Sequence, residues 1–145
     1  MLCSETFFMA FKRKQYSDKE LITQLKSGSL PPADFTHEAH VRLVWIMRRK
    51  KFPQLTFYDV SRVIKNYAKS IGEGNIYHET LTFASVMIIL NRIKKTPAND
   101  FFSFIEENLD LILEFKSLIA MHYSDEIIQS DKAKNEIIPP DKQPF

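Results

Sequence analysis

Glycine and proline divide this chain into blocks that have the length of helices. All three glycines (Gly28, Gly72 and Gly74) and all seven prolines lie outside the stretches with helical periodicity. Because these two residue types most often end helices, the blocks between them are predicted helices. The pattern indicates an all-α fold, a largely up-and-down helical bundle of about five to six helices.

The first two predicted helices have clear start and stop signals. Ser17-Asp18-Lys19-Glu20 matches a capping box, and Gly28 would stop the helix that follows it. The second helix is expected to begin at Asp34 or Thr36 and to run to Lys51, because Pro53 restricts the residue before it.

The next predicted helices differ in how apolar they are. Residues 56–71 carry one apolar face, whereas residues 76–95, with Asn75 as the expected cap, form the most apolar element of the chain. We therefore expect the fourth helix at the centre of the bundle.

The remaining third of the chain is expected to be helical at first and then extended. Asn99 would cap a helical region that reaches Tyr123, with a break at 108–110, and Ser130-Asp131 would begin one short turn more. We expect one domain over residues 1–145, in which 1–14 are loosely attached and 136–145 form an extended tail.

The composition selects no partner and indicates a soluble protein. The formal net charge is +2, and 26% charged with 44% hydrophobic residues is ordinary for a globular domain. Cys3 is the single cysteine, so no internal disulfide is predicted, and no apolar run approaches the roughly 20 residues of a membrane span. The expected location is the cytoplasm.

Two histidine clusters are the main functional signal. Thr36-His37-Glu38-Ala39-His40 and Tyr77-His78-Glu79-Thr80 each lie where a helix is predicted to begin, and they hold three of the four histidines. Short connections would make helices two and four parallel, which would bring both clusters to one end of the bundle. The sequence therefore predicts a His-rich polar pocket between these two helix starts, which would bind a metal ion or a small molecule.

Each cluster residue has an expected role in this pocket. His40 and His78 would be the principal contacts, and in an enzyme one of them, neutral, would act as general base. His37, Tyr77, Glu79 and Thr80 would help to bind the ligand, and His37, His40 and His78 would be the ligands of a divalent transition metal. The alternative is structural: the histidines would only lock helix ends together, and Glu38 and Glu79 would only complement the helix dipole.

The familiar enzyme signatures do not occur. His37-Glu38-Ala39-His40 is one residue short of the HExxH zinc motif, and the chain has no Glu-x-x-His, HxxxH or His-Asp pattern. Three glycines also provide no phosphate-binding glycine-rich loop. Whether the protein is an enzyme is left open.

Basic residues indicate a second candidate function. In the same topology ten of the 20 basic residues would gather at the opposite end, from Lys12-Arg13-Lys14, Arg48-Arg49-Lys50-Lys51 and Arg92-Ile93-Lys94-Lys95. They would suit a non-enzymatic module that holds a protein or an anion, such as nucleic acid, a phosphorylated ligand or a membrane surface, or they would only complement helix C-termini. We do not expect nucleic acid, because no interleaved aromatic platform accompanies them. An aromatic face at Phe101, Phe102 and Phe104 is the other candidate surface.

Several blocks of the sequence resemble a family of small bacterial proteins of unassigned function. The blocks are Phe35 to Arg42 with its F-x-H-x-x-H pattern, Tyr77 to Thr82 with Y-H-E-T-x-T, and softer patterns at Tyr123-Ser124, Ser130 to Lys134 and Pro140 to Pro144. The likeness covers about residues 30–145 and excludes 1–14. It implies a bacterial origin and a shared site.

Overall fold

The computed structural model describes residues 15–145, and within that range the protein is all-helical. Nine α-helices occur there, with two short 3-10 turns at Pro32–Asp34 and Gly74–Ile76. The helices are α1 (Asp18–Ser27), α2 (His37–Lys51), α3 (Phe57–Ser70), α4 (Glu79–Lys95), α5 (Phe101–Glu106), α6 (Asp110–Leu113), α7 (Phe115–His122), α8 (Asp125–Ile128) and α9 (Asp131–Asn135). The predicted all-α class is confirmed.

Local capping explains where the first three helices begin and end. Ser17 and Glu20 form the predicted capping box, and Gly28 ends α1 in the left-handed region at φ 76°. Thr36 caps α2 by accepting a hydrogen bond from the Ala39 N–H. Thr56 caps α3 in the same way.

Helix α4 lies at the centre of the bundle, as its apolar sequence predicts. It packs against α2, α3, α7 and α9. Ala84, Val86, Ile88 and Ile89 are all buried along it. Removing these side chains from water is the main favourable contribution to folding in this part of the protein.

Helices α2 and α4 run parallel. They contact each other, and their C-terminal ends line one pocket, to which α2 contributes Trp45 and Arg49 and α4 contributes Ile93. With 17 residues, α4 places its two ends about 25 Å apart. The helix starts, where the histidine clusters lie, are therefore at the end of the bundle opposite this pocket.

Three details of the predicted elements were wrong. Helix α4 begins at Glu79 with His78 as its cap, because Asn75 lies within a 3-10 turn. Asp100, whose carboxylate accepts from the Ser103 N–H, caps α5 in place of Asn99. The predicted break at 108–110 is present, since α5 ends at Glu106 and α6 begins at Asp110. A further break before Phe115 and the helix α8 were not predicted, so the described residues hold more helices than the expected five to six.

Residues 136–145 form no helix and lie against the bundle. The backbone N–H of Ile138 donates to the Thr80 hydroxyl at 3.0 Å, and the Tyr123 hydroxyl donates to the Ile138 carbonyl at 2.6 Å. At the end of the chain, the Phe145 ring stacks on His122 with the ring centroids 4.4 Å apart. The expected loose attachment of residues 1–14 lies outside the described residues.

Candidate functional site

His78 is committed to the backbone of two helices. Its Nδ1 accepts a hydrogen bond from the Leu81 N–H at 3.0 Å and so caps α4. A carbonyl can only accept, so the Nε2–H donates to the Ile128 carbonyl at 2.7 Å. Both ring nitrogens of the neutral imidazole are thus occupied, and neither has a lone pair left for a metal ion.

His37 and His40 make one carbonyl contact each. The Nε2–H of His37 donates to the Leu111 carbonyl at 2.7 Å. The Nδ1–H of His40 donates to the Thr36 carbonyl at 2.7 Å, and its ring stacks on Phe35 with the centroids 3.7 Å apart. Burial lowers the pKa of His40 below its ordinary value of 6.5. The hydrogen bond to Thr36 raises this pKa, but its effect is smaller than that of burial. His40 is therefore held as a neutral ring.

The predicted metal site does not form among the described residues. Within residues 15–145 no group of three or more His, Cys, Asp or Glu side chains is arranged to hold a metal ion. His37, His40 and His78, the expected ligand set, are thus not gathered into one such group. The physical reason is that these rings find their partners in backbone carbonyls of α2, α6 and α8.

Tyr77 and Glu79 belong to a polar cluster between α3 and α4. The Glu79 carboxylate pairs with the Lys65 ammonium at 3.0 Å, and the same ammonium lies 4.8 Å from the centroid of the Tyr77 ring. Burial raises the pKa of Tyr77 to about 12. Its hydroxyl is buried without a well-aligned hydrogen bond to any described residue, although Ser61 and Thr82 lie near it.

Thr80 has a structural contact. Its side chain is fully buried, its hydroxyl donates to the Glu136 carbonyl, and it accepts from the Ile138 N–H. The fourth histidine, His122, uses its Nδ1–H in a bond to the Gln143 carbonyl at 2.7 Å. Both side chains hold the last ten residues of the chain against the helices.

At the other end of the bundle, two arginines lie over aromatic rings. The guanidinium carbon of Arg48 is 3.9 Å from the centroid of the Phe52 ring, and that of Arg49 is 5.3 Å from the centroid of a Trp45 ring. The Arg49 Nη1 also donates to the Ala98 carbonyl at 3.4 Å. Cation–π contacts of this kind fix the direction of long side chains that would otherwise be mobile.

These arginines line an open pocket of about 190 Å³ between the ends of α2 and α4. Trp45, Phe52 and Ile93 provide apolar walls, and Thr96, Pro97 and Ala98 complete it. The pocket thus combines two fixed guanidinium groups with aromatic surface. We call the six cations at these helix ends the basic end; its members are Arg48, Arg49, Lys50, Lys51, Lys94 and Lys95.

Most cations of the basic end form no ion pair with a residue that the structure describes. The ion pairs among residues 15–145 involve only Lys51 of this group, which pairs with Asp59 at 3.1 Å. Hydrogen bonds from the Thr56 backbone and from Lys51 lower the pKa of Asp59 to about 2. Hydrogen bonds from Ser103 lower the pKa of the other nearby carboxylate, Asp100, and the positive charge of Arg49 lowers it further. Arg48, Lys50, Lys94 and Lys95 therefore form no ion pair with a carboxylate of residues 15–145.

The structure corrects three expectations about this region. Arg92, predicted to be one of the gathered cations, instead forms a two-pronged ion pair with Asp110 at 2.6 and 2.7 Å. Phe101 and Phe104 are buried in the core and only Phe102 is exposed, so the three rings do not form one aromatic surface. Aromatic rings do accompany the basic residues, contrary to expectation. Lys12-Arg13-Lys14 lies outside the described residues.

The stacking of the two arginines on aromatic rings could be predicted from the spacing of these residues in the sequence. Trp45 and Arg49 are four residues apart, as are Arg48 and Phe52, and this spacing makes side chains neighbours on a helix. Two overlapping aromatic–arginine pairs at one helix end would have predicted the lining of the pocket.

Comparisons with known proteins found no match, whether with family models, with curated proteins or with solved structures. The resemblance to small bacterial proteins stays a prediction. None of the helices between residues 15 and 145 has both the length and the apolar character needed to cross a membrane.

Proposed function

We propose that this protein is a non-enzymatic module that binds an anionic partner through its basic end. The observation that carries the proposal is the pocket between α2 and α4, where Arg48 and Arg49 are held over Phe52 and Trp45. Arginine is well suited to this task because its planar guanidinium donates two parallel hydrogen bonds to phosphate or carboxylate groups.

Helix dipoles alone account poorly for this arrangement. Lys and Arg in the last turn of a helix do complement the negative C-terminal end. That effect needs only a few exposed charges. Here two adjacent helix ends carry four cations that form no ion pair within residues 15–145, in a protein whose net charge is only +2. Crowded like charges repel each other, so an anion that lies among them gains favourable interaction with several at once.

The test is retention on a heparin column, because heparin is a general polyanion. We expect the wild-type protein to bind at low ionic strength and to be eluted by salt. The double variant K94E/K95E should elute at clearly lower salt. The matched control is K132E/K134E, which reverses two exposed lysines of α9 near the opposite end of the bundle. A wild-type protein that does not bind, or an equal shift for both variants, would overturn the proposal.

A second candidate is the predicted polar pocket, acting on a small polar ligand. The observation that favours it is the buried Tyr77 hydroxyl, which has no well-aligned hydrogen bond beside the Lys65–Glu79 ion pair. A buried polar atom with poorly aligned hydrogen bonds is costly, and a ligand oxygen or amide is one group that would satisfy it better.

This second candidate is tested by comparing Tyr77→Phe with the wild type. If the cluster binds a ligand, protein purified from cells should carry a small molecule that the variant lacks, as native mass spectrometry would show. If the hydroxyl serves no ligand, the two proteins should have the same mass composition, and the variant should be at least as stable.

A further inference from the structure

We infer that the anionic partner is a single-stranded nucleic acid, whose phosphates lie on the cations of the basic end and whose bases stack on Phe52 and Tyr58. This inference rests on the proposed function and names its partner.

The size of the pocket favours a long ligand over a small one. Pockets that enclose a drug-sized molecule usually have about 300–1,000 Å³. The pocket here has about 190 Å³ and is open to solvent. Lys50, Lys94 and Lys95 are exposed and lie outside the pocket lining. A ligand that occupies the pocket and also neutralises these lysines must extend across the surface, as a polyanion does.

The aromatic side chains favour a nucleic acid over other polyanions. Phe52 is 60% exposed and Tyr58 is 62% exposed, both large values for aromatic residues. Tyr58 adjoins Asp59, whose ion pair with Lys51 ties the start of α3 to the basic end. Exposed rings beside cations that follow a phosphate backbone are the usual arrangement in proteins that bind single strands, because every base can stack on them.

The helix geometry favours a single strand over a duplex. Proteins that read duplex DNA with a helix lay an exposed helix face along the major groove. Here α2 and α4 pack against other helices of the bundle. Apart from Arg42, which pairs with Asp18, their basic residues lie in the last turn. A flexible strand can follow such an end, whereas a duplex groove cannot receive it.

The inference is tested by fluorescence anisotropy with a labelled oligo-deoxythymidylate of about 12 nucleotides, within the range of single-strand sites. We expect binding that weakens with salt, and K94E/K95E should reduce the slope of log K against log salt by about 1.4, as expected when two phosphate contacts are lost.

Two variants test the stacking contacts separately from charge. Phe52→Ala should weaken oligonucleotide binding about tenfold, in line with the loss of one stacked base. Arg48→Lys keeps the charge but removes the planar stack on Phe52, and it should also weaken binding. The matched control is Ile76→Ala, which removes another exposed apolar side chain (66% exposed) near the opposite end of the bundle. It should bind like the wild type.

Competition with unlabelled ligands shows whether only the nucleic-acid partner is wrong or whether the basic end binds no anion at all. If inorganic polyphosphate or anionic phospholipid vesicles bind as tightly as the oligonucleotide and Phe52→Ala changes nothing, the partner is not a nucleic acid, although the basic end still binds anions. Tighter binding of a duplex than of the single strand would also overturn the inference. If no polyanion binds, both proposals are wrong.

Discussion

The Nε2–H of His78 donates to the carbonyl of Ile128, which lies 50 residues later in the sequence, at 2.7 Å. This hydrogen bond joins the start of α4 to α8. The same ring caps α4 through its Nδ1. A residue predicted to carry chemistry is thus fully engaged in holding the start of the central helix against α8.

Two substitutions of His78 should lower the free energy of unfolding by different amounts. His78→Ala removes both the cap and the bond to Ile128, and we expect a loss of about 2–3 kcal/mol in the free energy of unfolding. His78→Asn keeps a capping side chain but is too short to reach Ile128, so it should lose about 1 kcal/mol. Urea unfolding measures both values. Equal stability of His78→Ala and the wild type would contradict the structural role of this ring.

The stability of the protein should fall as the pH drops below 6.5. Burial lowers the pKa of His40 in the folded protein, so below its ordinary value of 6.5 the unfolded chain binds a proton at this position that the folded protein does not. The excess of bound protons in the unfolded state lowers the free energy of unfolding as the pH falls.

The measurement for His40 is urea unfolding between pH 8 and pH 5. The wild type is compared with His40→Phe, which removes the imidazole and keeps an aromatic ring beside Phe35, so that the difference between the two proteins isolates the contribution of His40. As the pH falls, the free energy of unfolding of the wild type should decrease more than that of the variant. Parallel pH profiles for the two proteins would show that His40 does not contribute.

Thr80 should be needed to hold the end of the chain. Thr80→Val removes the hydroxyl that accepts from the Ile138 N–H and donates to the Glu136 carbonyl, without changing the size of the side chain. We expect a loss of about 1–3 kcal/mol, as for other buried groups left without partners. Thr80→Ser keeps the hydroxyl and is the control. Amide hydrogen exchange at Ile138 should become faster in Thr80→Val only, and unchanged protection there would contradict this contact.

Much of the fold was predictable because its signals are local. The Ser17–Glu20 capping box and the left-handed turn at Gly28 involve residues close in sequence, and the apolar length of residues 79–95 marks the central helix. The short helices after Pro97 were harder to predict, because their breaks depend on contacts made elsewhere. Asn108, for example, is buried and donates to the Thr96 hydroxyl and the Phe104 carbonyl.

The histidine site was predicted from the positions of the histidines in the sequence, without knowledge of their hydrogen-bond partners. The parallel arrangement of α2 and α4 was correctly predicted, but the sequence could not show that the His37 ring would meet the Leu111 carbonyl, 74 residues away. Carbonyl partners this distant leave no pattern in the sequence. The arginine–aromatic stacks, in contrast, could be predicted, because the stacked residues are four positions apart in the sequence.

The most direct test of the account is the affinity for a fluorescent heparin fragment, measured on the wild type, Arg48→Glu/Lys50→Glu and His78→Asn under conditions where all three are folded. The double charge reversal should weaken binding by at least about tenfold, because it turns two attractive charges repulsive. His78→Asn should bind within about twofold of the wild type, since its effect is confined to stability. If His78→Asn abolishes binding while the charge reversal leaves it unchanged, the basic end is not the functional surface.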